Sequence, residues 1–168
     1  MANEIKKYDS VGGFSVNKDV VITENKDARN LNTLEIKNRF FGDGKRTNYI
    51  LKGLNTSILA IDNLGTQISL QSSTINFINT YIVGVNNTGG GNYSLKLESV
   101  VTCSAAGDVQ VLSTFRTIIK DSIPSGETWT VTTFDSGAAN RFSYSTTRAG
   151  TSSTIKWFAS SEIISVSW

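Results

Sequence analysis

The sequence predicts a mainly β fold, with N-terminal extended, interlaced short strands followed by an antiparallel, jelly-roll-like β-sandwich. Three observations carry this expectation. From Asn79 onward apolar and polar residues alternate with a two-residue period. Turn signals interrupt the alternation at the spacing of a sandwich. Helical periodicity is hard to find, and the best candidates, around Leu54 to Ile61 and Ile75 to Val83, are rich in residues that favour strands or turns. At most one helical turn, near Asn55, is expected. Composition agrees: 39% hydrophobic and 18% charged residues leave room for Ser, Thr, Asn and Gly.

Residues 1–78 hold short apolar pieces, including Val20-Val21-Ile22, Leu34-Glu35-Ile36, Tyr49-Ile50-Leu51 and Ile58-Leu59-Ala60-Ile61, separated by polar turns. No single piece can build a closed core, so this half is expected to be an oligomerisation region whose open strand edges are covered by sister copies. Its apolar residues Phe14, Val16, Ile22, Leu31, Leu34 and Ile36 are the candidate oligomer and docking residues. A loose echo of Leu31-Asn32-Thr33-Leu34-Glu35-Ile36 in Leu54-Asn55-Thr56-Ser57-Ile58-Leu59 hints at a repeated strand-turn unit.

Residues 79–168 are expected to form the sandwich head. Thr80 to Val85 leads through the Gly89-Gly90-Gly91 loop into alternating Tyr93, Leu95 and Leu97, which makes a hairpin. A long strand follows from Val109 to Lys120, closed by the turn Pro124-Ser125-Gly126. Trp129 and Val131 mark the next strand, Phe142 and Tyr144 a shorter one. In the last strand Ile155, Trp157 and Ala159 share a face, but the apolar set then moves to Ile164, Val166 and Trp168. That change of phase predicts a bulge near Ser160-Ser161, and a Trp168 packed within the subunit or against a neighbour.

The chemistry is sparse. With 168 residues the chain is one domain, or a small domain with an appendage, by the rule of about 100–200 residues per domain. It contains no histidine, which removes the commonest general base, the His-dependent nucleophile arrangements and the commonest metal ligand. Cys103 is the sole cysteine and sits in an apolar run, so it reads as a buried strand thiol. A glycosidase would need only two carboxylates across a cleft, but Glu98 and Glu162 fall at polar positions of alternating strands and the other C-terminal acids in turns, so no catalytic pair is expected. The triple glycine lacks the Lys-Ser or Lys-Thr of a phosphate cradle, and Asp62-Asn63-Leu64-Gly65 lacks the alternating acids of a calcium loop. Neither an enzyme nor a cofactor is expected.

A net charge of +2 is too small to draw in nucleic acid, and Arg39, Lys45 and Arg46 read as a solvated loop. No stretch approaches the ~18 apolar residues of a membrane span, and the N-terminus lacks the apolar core of a signal peptide. Synthesis in the cytoplasm and no membrane partner are expected. Trp129 and Trp157 share phase with core residues, whereas Tyr93, Phe142 and Tyr144 are the candidate ligand or partner surface, with sugar stacking as the chemistry.

Two stretches carry a resemblance. Val11-Gly12-Gly13-Phe14-Ser15-Val16, with the later Val20-Val21-Ile22-Thr23-Glu24-Asn25-Lys26-Asp27-Ala28-Arg29-Asn30-Leu31-Asn32-Thr33-Leu34, resembles the stem and attachment repeats of tailed-phage fibre and spike proteins. The closing strand Ser153-Thr154-Ile155-Lys156-Trp157-Phe158-Ala159-Ser160 resembles that of phage-fibre heads. The resemblance implies a homotrimer on the virion surface, docked on capsid or tail proteins by its N-terminal region. The chain is much shorter than typical long fibres. That leaves a capsid decoration protein, a head fibre, a short tail fibre or tail-associated adaptor, or a tail-fibre module that recognises a host glycan.

Overall fold

A computed structural model describes residues 14–16, 19–22, 28, 31, 33–135 and 140–168. The chain divides after Asn32 into two units. In the first, β1 (Phe14–Val16) and β2 (Asp19–Ile22) pair antiparallel, with an irregularity between Phe14 and Ser15.

The second unit is built from ten strands and, among the described residues, no helix. These are β3 (Thr33–Asn38), β4 (Phe41–Leu54), β5 (Ser57–Ile58), β6 (Ile68–Ser69), β7 (Thr74–Asn86), β8 (Asn92–Cys103), β9 (Val109–Ser122), β10 (Thr128–Asp135), β11 (Arg141–Ala149) and β12 (Ile155–Ser167). A six-stranded sheet runs β3-β4-β12-β7-β8-β9, antiparallel throughout. Opposite it lies β10-β11, extended on the far side of β11 by the two short strands β5 and β6.

Alternation places the core between the sheets. In β8, Tyr93, Leu95, Leu97, Ser99, Val101 and Cys103 are all buried, while the residues between them are half-buried. Ile78, Ile82 and Leu51 join them from β7 and β4, and Trp129, Val131, Phe142 and Tyr144 close the core from the smaller sheet. Each such side chain, fully buried, stabilises the fold by about 1.5–3 kcal/mol. Trp129 meets Trp157 edge-to-face at 6.1 Å, and Phe142 meets Tyr144 in the same way at 5.3 Å. Trp157 pairs across the sheet with Gly53 on one side and Gly84 on the other. A Cβ on Gly84 would lie 2.4 Å from the indole, so the ring occupies the space that a side chain there would fill.

One part of this interior is polar and fully paired. Thr80 Oγ1 lies 2.5 Å from the Tyr144 hydroxyl and 2.8 Å from Ser161 Oγ. Ser165 donates to Asn76 Oδ1 at 2.6 Å, and the Asn76 amide donates to Thr74 Oγ1 and the Val101 carbonyl. The buried hydroxyls and amide of this cluster are tolerated because each finds a partner.

The predicted mainly β architecture, the β7–β8 hairpin and the later strands agree with the structure, and Trp129, Trp157 and Cys103 are buried as expected. Five expectations change. The division falls after residue 32 and not after 78, because β4 is hydrogen-bonded to β12 along eleven residue pairs and β7 lies in the middle of the sheet. Residues 33–78 are therefore part of the sandwich. The expected bulge near Ser160-Ser161 is absent: β12 keeps unbroken register with both neighbours. Its inward positions include Ser161 and Ser165, and its outward ones include Phe158, Ile164 and Val166, so apolar residues change face while the strand does not. The basic cluster is not a loop, since Lys45 and Arg46 lie in β4 and point to opposite faces, Lys45 to Glu35 at 2.8 Å and Arg46 to Glu162. Finally, Asn55 heads a tight left-handed turn with φ of 57° rather than a helical turn, and the Leu31 and Leu54 segments do not form equivalent units.

Candidate interaction surface

The straight run of β12 has a direct consequence for the outer face of the six-stranded sheet. Residues paired across neighbouring strands share a face. One cross-strand row joins Ile36, Arg46, Ile164, Phe77 and Val100. The next, toward one end, brings Val166 beside Ile75. On the other side of the sheet's centre Ile50, Ser160, Tyr81 and Lys96 form a row, followed by Lys52, Phe158, Val83 and Ser94. Phe77, Tyr81, Phe158 and Ile164 are each about half exposed, at 45%, 54%, 51% and 45%.

Between the two apolar zones lies a polar band, Leu34, Asn48, Glu162, Asn79, Glu98 and Phe115. Its carboxylates are engaged: Glu162 with Arg46, and Glu98 with Lys96 at 2.9 Å. The Glu98 hydrogen bond holds the Lys96 ammonium above its ordinary pKa. The Lys96 ammonium also stands 5.9 Å from the Tyr81 ring centre. The band is thus two cations matched by two anions on an open sheet, not a cleft with two free acids.

The sheet edges are also uncovered. Every residue of β3 is exposed on both faces. In β9 nearly all residues from Gln110 to Asp121 are exposed, among them Leu112, Phe115, Ile118 and Ile119. Trp168, with the same alternation phase as Ile164 and Val166, is 71% exposed.

A separate cleft of about 440 Å³ is lined by Lys52, Gly53, Leu54, Asp62, Asn63, Lys156 and Trp157. Lys52 Nζ donates to Asn63 Oδ1 at 2.5 Å. Asp62 Oδ1 accepts from the Leu64 and Thr66 amides, which fixes the turn, and hydrogen bonding by Thr66 holds its carboxyl below the usual range. Among the described residues no group of three or more His, Cys, Asp or Glu side chains could hold a metal ion, and no helix is long and apolar enough to cross a membrane.

The candidate ligand residues require a correction. Phe142 and Tyr144 are fully buried and Tyr93 is 4% exposed, so none can stack on a ligand without opening the sandwich. Their alternation reported core membership. Of the candidate docking residues, Phe14, Val16 and Ile22 lie on the β1–β2 hairpin, and their side chains lie outside the described residues. Leu31, Leu34 and Ile36 are exposed. The sequence reading missed the outward set of β7 and β12, although the signal was present as strands that are apolar on both faces. No protein family, curated protein or solved structure matches the chain.

Proposed function

We propose that this chain is a non-enzymatic structural protein of a tailed-phage virion, a homotrimeric surface component that docks on capsid or tail proteins through its N-terminal region. The observation that carries the self-assembling part is the apolar outer face of the six-stranded sheet, flanked by exposed edge strands. Single exposed apolar residues are ordinary, but two zones of them on one sheet face, either side of a band of paired charges, mark an interaction site. The virion assignment rests on the fibre-like stretches at residues 11–16, 20–34 and 153–160. Imaging of purified particles with this chain labelled tests it: label at regular capsid or tail positions is expected, and particles without label contradict it.

The cleft favours a second reading, a tail-fibre module that grips a host glycan. An amide, a carboxylate and two ammonium groups beside the exposed Leu54 side chain supply the polar contacts that a sugar needs. Substituting Asn63 and Lys156 together by Ala then lowers host adsorption at least tenfold with the thermal midpoint unchanged. Unaltered adsorption rejects this reading.

A further inference from the structure

We infer that the cleft beside Lys52 and Lys156 takes a sugar that carries an acid group, with its carboxylate or phosphate held between the two ammonium groups. This rests on the host-glycan reading of the cleft and names the class of glycan that the cleft selects.

Unbalanced charge is the first argument. Elsewhere on this sheet cations are matched, Lys45 by Glu35, Arg46 by Glu162 and Lys96 by Glu98. At the cleft they are not. Lys52 donates to a neutral amide oxygen, that of Asn63, and Lys156 forms no ion pair among the described residues. Asp62 is the acid of the lining, and its Oδ1 is taken up by the Leu64 and Thr66 amides. Two ammonium groups against one carboxylate leave the cleft with a positive excess, which attracts an anion.

Register is the second. Lys52 stands opposite Phe158 and Lys156 opposite Leu54, so the two lysines are diagonal neighbours on one face of adjacent strands, and both are exposed. Diagonal positions lie about 7–8 Å apart, a span across which two flexible four-carbon stems bring their ammonium groups onto one acid group. Left bare, the pair is two like charges side by side. A bound anion replaces that repulsion with attraction to both.

The surroundings supply the third. Leu54 and Phe158, each more than half exposed, alternate with the lysines across the two strands. They offer the apolar face of a sugar ring a surface to lie on while its acid group turns to the ammonium groups. The positive excess is also confined, because the polar band nearer the sheet centre carries Glu98 and Glu162. A long polyphosphate would meet those carboxylates, whereas a short acidic sugar within a cleft of about 440 Å³ does not.

The test titrates the full chain by calorimetry with a galacturonate oligomer, a mannose-phosphate oligomer, a neutral maltooligosaccharide and an oligothymidylate of matched charge. At least one acidic sugar is expected to bind about tenfold or more tighter than the neutral sugar and the oligothymidylate, and to weaken from low to physiological salt. Galacturonate reports a carboxylate ligand and mannose phosphate a phosphate ligand. Lys52→Gln and Lys156→Gln each lower that affinity about fivefold, Lys156→Arg retains it, and Lys37→Gln, in the β3–β4 pairing away from the cleft, leaves it unchanged. Thermal midpoints confirm that the variants fold. If the neutral sugar binds as tightly as the acidic ones, the acid preference is wrong while the glycan reading stands. An oligothymidylate that binds as tightly as the acidic sugars, or acidic binding that neither Gln variant weakens, overturns the inference. Absence of binding by every probe also overturns it, and adsorption of the Asn63 and Lys156 double variant then decides the glycan reading separately.

Discussion

Asn55 shows how much a single residue organises. Its amide donates to the Ile155 carbonyl, its Oδ1 accepts from the Ile155 amide at 2.9 Å, and its carbonyl accepts from the Trp157 indole and Thr146 hydroxyl. It holds this position at a left-handed φ that Asn tolerates better than most side chains. Asn55→Ala is expected to cost roughly 2–3 kcal/mol, combining backbone strain with a lost hydrogen bond. Urea unfolding should show Asn55→Gly costing less than Ala, because only the strain is relieved; equal costs would remove strain from the account. Tyr144 offers a pH test. Burial pushes its hydroxyl up to about 12 from an ordinary 10.0, against the smaller opposing effect of its hydrogen bonds to Thr80 and Ser161. The unfolded chain therefore loses this proton first. Its stabilisation is complete below pH 10 and is lost as pH rises toward 12, by about 2–3 kcal/mol. Stability measured across that window should fall less steeply in Tyr144→Phe, and identical slopes would refute the assignment. The same burial explains why a tyrosine that looked like a ligand platform in the sequence is a core residue. Alternation identifies a shared face, but not which face meets the second sheet.

At the scale of the strand, β12 connects sequence to surface. Its register with β4 and β7 never slips, so every second side chain must face outward whatever its chemistry. Turn residues and two-residue periodicity made the later strands and the β7–β8 hairpin legible. The phase of β12 was misread because Ser161 and Ser165 occupy inward positions, held there by Thr80 and Asn76. Those partners are distant in sequence, and no local pattern reveals them. Residues 33–78 were assigned to a separate region for a similar reason: β4 pairs with β12, more than a hundred residues away. Packing between strands also gives a direct prediction. Gly84→Ala drives a methyl group into the Trp157 ring and should destabilise the sandwich by about 1–3 kcal/mol, with an altered near-ultraviolet tryptophan signal. A variant with unchanged midpoint and spectrum would show that the ring has room to move.

For the whole molecule, the sandwich buries its interior between two sheets of unequal width. The smaller sheet shields one face of the larger and leaves the other face, with its apolar side chains, to solvent. The main uncovered apolar surface therefore lies on the sheet that both halves of the chain build, and not on a separate front half. The charged groups at the centre of that face are already paired, so ionic strength should have little effect on association, while apolar burial provides the driving force. The mass of the purified full-length chain at micromolar concentration tests this most directly. Three times the 18.2 kDa chain mass is expected, unchanged between low and high salt. A particle of one chain mass, stable and soluble with this face bare, would contradict it.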